Sequence, residues 1–205
     1  MKSVTTLSCL AAALFAALAF APVATAAQSA HRDMFILAQN QSPQRSPDVP
    51  FVPTKEEVVE VMLKLGEVDR NDVVYDLGSG DGRLPITAAK KYGARGFGVD
   101  IDPNRVREAR ENAQRASVQD KVKFVQGDLF QTDIADATVV TLYLLPSVNM
   151  KLRPKLLAEL KPGTKVVSHN YDMGDWKPEQ TVNVGSHVVY VWTVPERGQA
   201  SGDKK

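Results

Sequence analysis

Between residues 51 and 196 the hydrophobic positions switch repeatedly between two spacings. Short apolar runs rich in β-branched residues alternate with segments whose apolar residues recur every three to four positions, as on one face of a helix. The predicted strands are Val73–Leu77, Gly96–Ile101, Val122–Gln126, Thr138–Leu145, Lys165–Asn170, Thr181–Val184 and His187–Val194. The predicted helices lie before Gly66 and over Leu84–Tyr92, Pro103–Arg115 and Val148–Leu160. Strands that alternate with helices are typical of a parallel sheet covered on both faces.

The two ends of this region carry local signals. Thr54 is followed three residues later by Glu57, so we expect a capping box in which the Thr54 hydroxyl starts the first helix. At the other end, only Gly185 and Ser186 join the last two strands, and strands joined by so short a turn pair antiparallel. The pattern therefore predicts an α/β fold with a doubly wound sheet of seven strands, mostly parallel, that ends in an antiparallel hairpin.

The residues outside this region have a different composition. Residues 1–26 begin with Lys2, continue with an apolar run from about Leu10 to Ala21 and end at Ala24-Thr25-Ala26, which is typical of a secretory signal peptide. That run is too short for a stable membrane span, so we expect an exported protein with no span after cleavage. Residues 27–50 are predicted to be a flexible linker and residues 197–205 a disordered tail, since both are polar.

Composition and charge narrow the function classes. The chain has 205 residues, of which 43% are hydrophobic and 24% charged, which suits one globular domain. Its net charge of +1 gives no whole-chain attraction for nucleic acid, so no nucleic-acid partner is expected. The single cysteine, Cys9, falls in the predicted signal peptide, and no metal site is predicted.

The stretch "VVYDLGSGDGR" joins the first strand to a glycine-rich turn. Its glycines, Gly78, Gly80 and Gly82, are one residue short of the G-x-G-x-x-G dinucleotide pattern. Asp76 ends the strand and Asp81 lies in the turn, and these carboxylates would repel a pyrophosphate. A ligand that carries an ammonium group and no phosphate fits better. Asp81 is either a helix cap or a cofactor contact.

Two further carboxylates follow the next strands. Asp100 ends the second strand, where an acidic side chain can accept from both hydroxyls of a ribose, and Asp128 follows the third strand, where it can accept from an adenine amino group. An amino acid, a ribose and an adenine without phosphate describe S-adenosylmethionine. The predicted cofactor-binding residues are Asp76, Gly78, Ser79, Gly80, Asp100, Ile101, Asp128 and Leu129.

These motifs resemble those of a known family. "VVYDLGSGDGR", "GVDIDP", "GDLF" and the terminal hairpin are similar to class I (seven-stranded) S-adenosylmethionine-dependent methyltransferases. "FVPTKEEVV", "LYLLPSVN" and "LKPGTKVVSHNYDMGDW" resemble the small family of the ATP synthase c-subunit lysine methyltransferase and its bacterial relatives. The resemblance implies a Rossmann-like fold, S-adenosylmethionine as cofactor and a protein lysine as substrate, with a small-molecule substrate as the alternative.

Methyl transfer needs a desolvated nucleophile close to the methyl group. Tyr143, Asn149 and His169 are the catalytic candidates, although His169 is also typical of a buried residue that satisfies core hydrogen bonds. The expected channel lining includes Phe51, Pro53, Thr54, Tyr171 and Trp176. No general base stands out.

Two other function classes remain open at this point. A nicotinamide-dependent oxidoreductase would share the fold, but Asp76 and the short glycine spacing argue against it. An exported, non-catalytic binding protein with the same fold is motivated by the signal peptide, since S-adenosylmethionine is made in the cytosol. The intact set of carboxylates argues against that class.

Overall fold

Seven strands form one sheet in the computed structural model, which describes residues 51–196. They are β1 Val73–Leu77, β2 Arg95–Asp100, β3 Val122–Gln126, β4 Val139–Leu142, β5 Lys165–His169, β6 Gln180–Val184 and β7 His187–Thr193. Their order across the sheet is β3-β2-β1-β4-β5-β7-β6. The predicted signal peptide, linker and tail lie outside the described residues.

The strand pairing agrees with the predicted topology. β1 pairs in parallel with both β2 and β4, and the parallel set continues to β3 on one side and β5 on the other. β7 pairs antiparallel with β5 and with β6, so the hairpin closes one end of the sheet. The carboxyl ends of the five parallel strands therefore share one edge, with the reversal of strand order at β1 and β4. Open α/β sheets bind ligands at that position.

Within the described residues, four α-helices cover the sheet: α1 Glu56–Leu65, α2 Arg83–Thr87, α3 Pro103–Arg115 and α4 Pro146–Glu159. A π-helical turn, Ala88–Tyr92, extends α2 to complete the helix predicted over Leu84–Tyr92. α3 begins as expected: Pro103 occupies its first position, and the Asp102 carboxylate accepts from the Asn104 amide at 2.8 Å. Within residues 51–196 no helix is both long and apolar enough to cross a membrane.

Apolar side chains fill both faces of the sheet. On one face, Met62 and Leu63 of α1 pack with valines of β1, β4, β5 and β7. On the other face, Leu152 and Leu156 of α4 pack with Leu142 of β4 and other core residues. Each such side chain, fully buried, contributes about 1.5–3 kcal/mol of hydrophobic stabilisation. Every residue of β4 is buried, so the centre of the sheet is a fixed support for the loops at its edge.

The start of α1 differs from the prediction. The helix begins at Glu56, and its N-cap residue Lys55 makes no side-chain cap hydrogen bond. The Thr54 hydroxyl is instead 3.3 Å from Nδ1 of His169, at the end of β5. The capping box is therefore wrong, because a long-range partner takes the hydroxyl that the local motif would have used.

Candidate active site

The glycine loop folds back onto the second strand. The amides of Gly78 and Ser79 both donate to the carbonyl oxygen of Val99, each at 2.9 Å. Gly80 has φ of +51°, and a Cβ built there would lie 2.2 Å from the ring of Phe51. Only glycine fits, because the backbone is left-handed and an aromatic ring covers it. The loop thus forms a bare backbone surface under Phe51.

Asp100, at the carboxyl end of β2, is held by backbone amides. Its Oδ2 accepts from the Gly80 amide at 2.8 Å, and its Oδ1 accepts from the Asp102 amide at 2.9 Å. These charge-assisted hydrogen bonds orient the carboxylate and fix the glycine loop. Each oxygen keeps further acceptor capacity. Asp128 is oriented similarly, since its Oδ1 accepts from the Phe130 amide at 2.9 Å.

Asp76 is the buried acid of the site, with only 4% of its surface exposed. Burial raises the pKa of its carboxyl to about 7, and the nearby charges of Asp81 and Asp100 act in the same direction. The Thr141 hydroxyl opposes this shift by donating to Asp76 Oδ1 at 2.7 Å. Asp76 therefore gains or loses a proton near neutral pH, and a cationic ligand would favour its charged form.

Asp81 is engaged by an arginine. Arg83 donates through Nε to Asp81 Oδ1 at 2.9 Å and through Nη2 to Oδ2 at 2.5 Å. Arg83 Nη1 also donates to the carbonyl oxygen of Thr54 at 2.5 Å. The residue in the cap position of α2 is Gly82, which has no side chain to cap the helix. Asp81 is thus part of a clamp that ties residues 51–54 to the glycine loop.

These residues surround one open cleft at the carboxyl edge of the sheet, with an empty volume of about 1070 Å³ including its solvent mouth. Its charged lining consists of the carboxylates Asp76, Asp81, Asp100, Asp102 and Asp128 and the guanidinium groups of Arg83 and Arg105. The acids outnumber the bases by five to two, so the cleft favours cationic groups. No metal-binding group of His, Cys, Asp or Glu side chains occurs in the part of the chain that the structure describes.

Most of the predicted cofactor residues line this cleft. They are Asp76, Gly78, Ser79, Asp100, Ile101, Asp128 and Leu129. Gly80 is not among the lining residues. Its amide, however, donates to the Asp100 carboxylate, and the Phe51 ring packs against its Cα. Phe51, Pro53 and Thr54 line the mouth, as does Tyr143 after β4. Their roles in binding and catalysis stay predictions.

Asn149 and His169 do not line the cleft. Asn149 is fully buried, and its amide group donates to Ser168 Oγ at 3.2 Å and to the carbonyl oxygens of Tyr171 and Asp172 at 3.2 and 3.3 Å. It anchors the loop after β5. The alternative interpretation of His169 as a buried, hydrogen-bonded residue agrees with its 1% exposure.

His169 packs against the ring of Tyr143, which lines the cleft. Their ring centroids are 3.8 Å apart, and His169 Nε2 is 3.0 Å from Nδ1 of His187. Burial lowers the pKa of His169 to about 4, with a smaller contribution from His187. The imidazole is therefore neutral at physiological pH. Tyr171 is a further aromatic neighbour of Tyr143, and the two ring centroids are 6.5 Å apart.

Several residues near the site were not predicted. Arg83 belongs to the "DGR" motif and Arg105 to the first turn of α3, and the guanidinium of Arg105 lies 4.8 Å from the Phe51 ring centroid. Their positions after strands β1 and β2 were the available signal. Trp176 and Tyr171, by contrast, were expected in the channel lining, but neither lines the cleft; Trp176 packs against Trp192. The interaction of His187 with His169 depends on strand pairing, which no local motif reveals.

Comparison with known proteins identifies this arrangement. The sequence matches the ANTKMT methyltransferase domain over residues 76–180. A protein-lysine N-methyltransferase of Saccharolobus islandicus is 46% identical over 155 residues, which are 73% of this chain and 96% of that protein. The chain belongs to the ANTKMT methyltransferase family. The mouse ATP synthase c-subunit lysine N-methyltransferase is 32% identical over 74% of this chain, which spans only 61% of that longer protein.

A solved structure is also similar at high identity. It is a Salinibacter ruber protein described as an RNA methyltransferase in complex with S-adenosyl-L-homocysteine, with 59% identity and a TM-score of 0.72. The match covers 73% of this chain and 98% of that one. The fold, the enzyme class and S-adenosylmethionine as cofactor are thereby confirmed for this methyltransferase.

The residues of the cleft fit that cofactor. Asp100 presents an amide-anchored carboxylate, and the bare backbone at Gly80 allows close approach. The hydroxyl oxygen of Ser79 is buried and has no hydrogen-bond partner within residues 51–196. An unsatisfied polar atom on a residue that lines a cleft indicates a group that completes its hydrogen bonding on binding. The buried, partly ionised Asp76 suits a ligand with an ammonium group.

Proposed function

We propose that this methyltransferase transfers methyl groups from S-adenosylmethionine to the side-chain amine of a lysine in a protein. The acidic cleft is the observation that carries the proposal: five carboxylates against two guanidinium groups attract a cationic cofactor and a cationic substrate together. The names of the Saccharolobus and mouse relatives support the same substrate class.

RNA is the second candidate, because the Salinibacter relative is described as an RNA methyltransferase. Nucleic-acid sites use clustered lysines and arginines to neutralise phosphates. In this chain the cleft is acidic and the net charge of the whole sequence is only +1. Electrostatics therefore favours lysine over RNA.

The cofactor supplies an electrophilic methyl group on a sulfonium centre. The chain supplies binding, desolvation and position. Asp100 and Asp128 would accept hydrogen bonds from neutral hydroxyl and amino groups of the cofactor, and Asp76 would balance its positive charge. Tyr143 and Leu144 exclude water from the substrate side, and the Thr54 hydroxyl is a polar group at the mouth. A lysine ammonium must lose one proton before it can attack, so the residues at this end also decide where that proton goes.

Labelled-methyl transfer tests the substrate class. The purified chain is incubated with methyl-labelled S-adenosylmethionine and a cell-envelope extract, and the product is treated with protease or ribonuclease before counting and mass spectrometry. We expect protease-sensitive label on lysine. Asp100→Ala, which we expect to bind S-adenosylmethionine weakly, serves as the control at a cofactor concentration well below its KM. Ribonuclease-sensitive label would contradict the lysine proposal and favour RNA, and label on a small molecule alone would contradict both.

We also propose that the protein is exported through residues 1–26, from the sequence pattern described above. Those residues lie outside the described part of the chain. Cell fractionation with mass spectrometry of the N-terminus tests this proposal, and we expect a mature form that starts near Ala27 outside the cytosol. A full-length chain confined to the cytosol would contradict it.

A further inference from the structure

Three side chains form a continuous hydrogen-bonded chain that starts at the cleft. Thr54 lines the cleft, and its hydroxyl is 3.3 Å from His169 Nδ1; His169 Nε2 is in turn 3.0 Å from His187 Nδ1. The chain crosses from the segment before α1, through the end of β5, to the start of β7. These elements are far apart in sequence, since Thr54 and His169 are separated by 115 positions.

We propose that Thr54, His169 and His187 are a proton relay that carries the proton released by the substrate amine from the cleft towards the β6–β7 hairpin. This inference rests on the proposed amine substrate. Thr54 is the member that would contact the substrate, and His169 and His187 are positioning residues that act through it.

The relay balances as one proton in and one proton out. The ammonium N–H bond breaks and a new O–H bond forms at Thr54, while the original Thr54 proton passes to His169 Nδ1. His169 Nε2 then gives its proton to His187 Nδ1, and His187 Nε2 releases one to solvent. Each side chain gains one proton and loses one, so no imidazolium needs to accumulate, and the freed amine lone pair attacks the methyl carbon. Both imidazoles finish as the other tautomer. After the product leaves, they are reset by ring rotation or by the reverse transfer, which takes a proton from solvent at His187 and gives one to water in the cleft.

The surroundings suit neutral imidazoles. His169 is 1% exposed and packs against the Tyr143 ring, and burial keeps its pKa near 4. Among the described residues, the titratable groups that face it are Tyr143, directly after β4, and His187 from β7; Tyr171 lies beyond Tyr143. No carboxylate is hydrogen-bonded to the pair within residues 51–196. A neutral relay beside a cleft that binds cations avoids repulsion of the cofactor and the substrate.

The hydrogen-bonded chain ends at His187, beside the hairpin turn. His187 Nε2 is buried and has no hydrogen-bond partner within residues 51–196, although the residue itself is only half buried. His187 follows the turn Gly185-Ser186, whose two residues are exposed. Release of the proton to solvent therefore requires a movement of the His187 ring that exposes this nitrogen.

The dependence of kcat on pH distinguishes a proton relay from a purely structural role of Thr54. Thr54→Val removes the hydroxyl with little change in shape, and Thr54→Ser keeps the hydroxyl. With a lysine peptide or protein substrate, we expect Thr54→Val to lower kcat by about 10–100-fold at pH 7. That loss shrinks as the pH approaches the lysine pKa of about 10.4, because the amine then arrives already deprotonated. The KM for S-adenosylmethionine stays within about twofold, and Thr54→Ser retains most of the activity.

Two histidine substitutions provide a matched pair. His169→Asn keeps a polar group near the Nδ1 position facing Thr54, whereas His169→Gln keeps one near the Nε2 position facing His187. A relay needs both contacts, so both variants should show the pH-dependent loss, and His187→Gln should show it too. Full activity of His169→Asn at pH 7 would mean that His169 only orients Thr54 and would overturn the relay.

Two other results would also overturn the proposal. One is an equal loss in Thr54→Val at every pH, which indicates a packing defect; the other is no loss at pH 7. If the wild-type chain methylates no lysine, the proposed function fails, and NMR of the 15N-histidine-labelled full chain still tests the relay. We expect a neutral His169 at pH 7 whose Nδ1 resonance shifts in Thr54→Val. A protonated His169, or an unshifted Nδ1, would contradict the hydrogen-bonded chain.

Discussion

The cleft has two halves that are built in different ways. The cofactor half consists of the glycine loop and the carboxyl ends of β1–β3, and its acids are oriented by main-chain amides, as at Asp100 and Asp128. The substrate half consists of residues 51–54 and the ends of β4, β5 and β7, and it is held by contacts between side chains, as at Thr54, His169 and His187. Main-chain support depends little on neighbouring side chains, whereas a side-chain network changes with every substitution.

This difference separates two tasks. The cofactor half is a fixed frame for one ligand, because its geometry follows from the loop backbone. The substrate half is adjustable, since one substitution alters its hydrogen bonding without disturbing the sheet. Changes in the cofactor half should therefore act on affinity for S-adenosylmethionine, and changes in the substrate half should act on turnover.

The largest effect is expected at Asp100. Asp100→Ala removes two charge-assisted hydrogen bonds from the glycine loop and one anionic acceptor from the cleft. A loss of about 3 kcal/mol corresponds to about a 100-fold rise in KM for S-adenosylmethionine. Steady-state kinetics measure this change. Asp100→Asn keeps one acceptor oxygen, so its KM should lie between those of the wild type and Asp100→Ala. A KM within threefold of wild type in Asp100→Ala would contradict the role of the carboxylate.

Gly80 and Gly163 make a matched pair for the next effect. Both have positive φ, +51° and +87°, but a Cβ at Gly80 meets the Phe51 ring at 2.2 Å, whereas a Cβ at Gly163 meets nothing within 4 Å. Both changes to Ala cost about 1 kcal/mol of folding stability from the backbone alone. Only Gly80→Ala should also weaken cofactor affinity, by about tenfold. Calorimetry measures the cofactor affinity of both variants, and thermal unfolding measures their stability. Equal affinities would show that cofactor binding does not depend on the position of the Phe51 ring over the loop.

Asp76 makes affinity for the cofactor depend on pH. Its pKa is raised to about 7, so the carboxyl is mostly neutral at pH 6 and mostly charged at pH 8. Affinity for S-adenosylmethionine should fall about tenfold from pH 8 to pH 6, and Asp76→Asn should flatten the profile. The effect on folding stability has the opposite sign. Between about pH 4 and 7 the Asp76 carboxyl is protonated in the native state but ionised in the unfolded chain. The contribution of this group to the free energy of unfolding therefore declines as the pH rises through that range.

Thr141→Val is the control for this pH dependence. It removes the hydroxyl that donates to the charged form of Asp76, so the midpoint of the profile should move to higher pH. A flat affinity profile in the wild type would contradict the role of Asp76 in balancing positive charge.

The smallest effect on the reaction is expected at Asn149. Asn149→Ala removes the amide that holds the carbonyl oxygens of Tyr171 and Asp172, which should lower the free energy of unfolding by about 1–3 kcal/mol. kcat should fall a few-fold, because Tyr171 then loses its fixed place beside Tyr143. Affinity for S-adenosylhomocysteine should stay the same, as calorimetry can show. A weakened affinity would contradict the separation of the halves.

The same division explains how far the sequence could predict the site. The glycine loop, Asp100 and Asp128 follow directly after apolar strands, so local pattern and strand order were enough to bring them together. The interaction of Thr54 with His169 has no local signal: Thr54 and Glu57 resemble a capping box, and only the packing of α1 on β5 directs the hydroxyl elsewhere. His187 reaches His169 only through the antiparallel register of β5 and β7.

Calorimetric titration of S-adenosylhomocysteine into the wild type, Asp100→Ala and Thr54→Val tests the separation of the two halves most directly. We predict one binding site in the wild type, the same affinity within about twofold in Thr54→Val, and affinity weaker by about 100-fold in Asp100→Ala. Absence of binding to the wild type would contradict the cofactor site. A loss in Thr54→Val as large as that in Asp100→Ala would contradict the division between a main-chain frame for the cofactor and a side-chain network for the substrate.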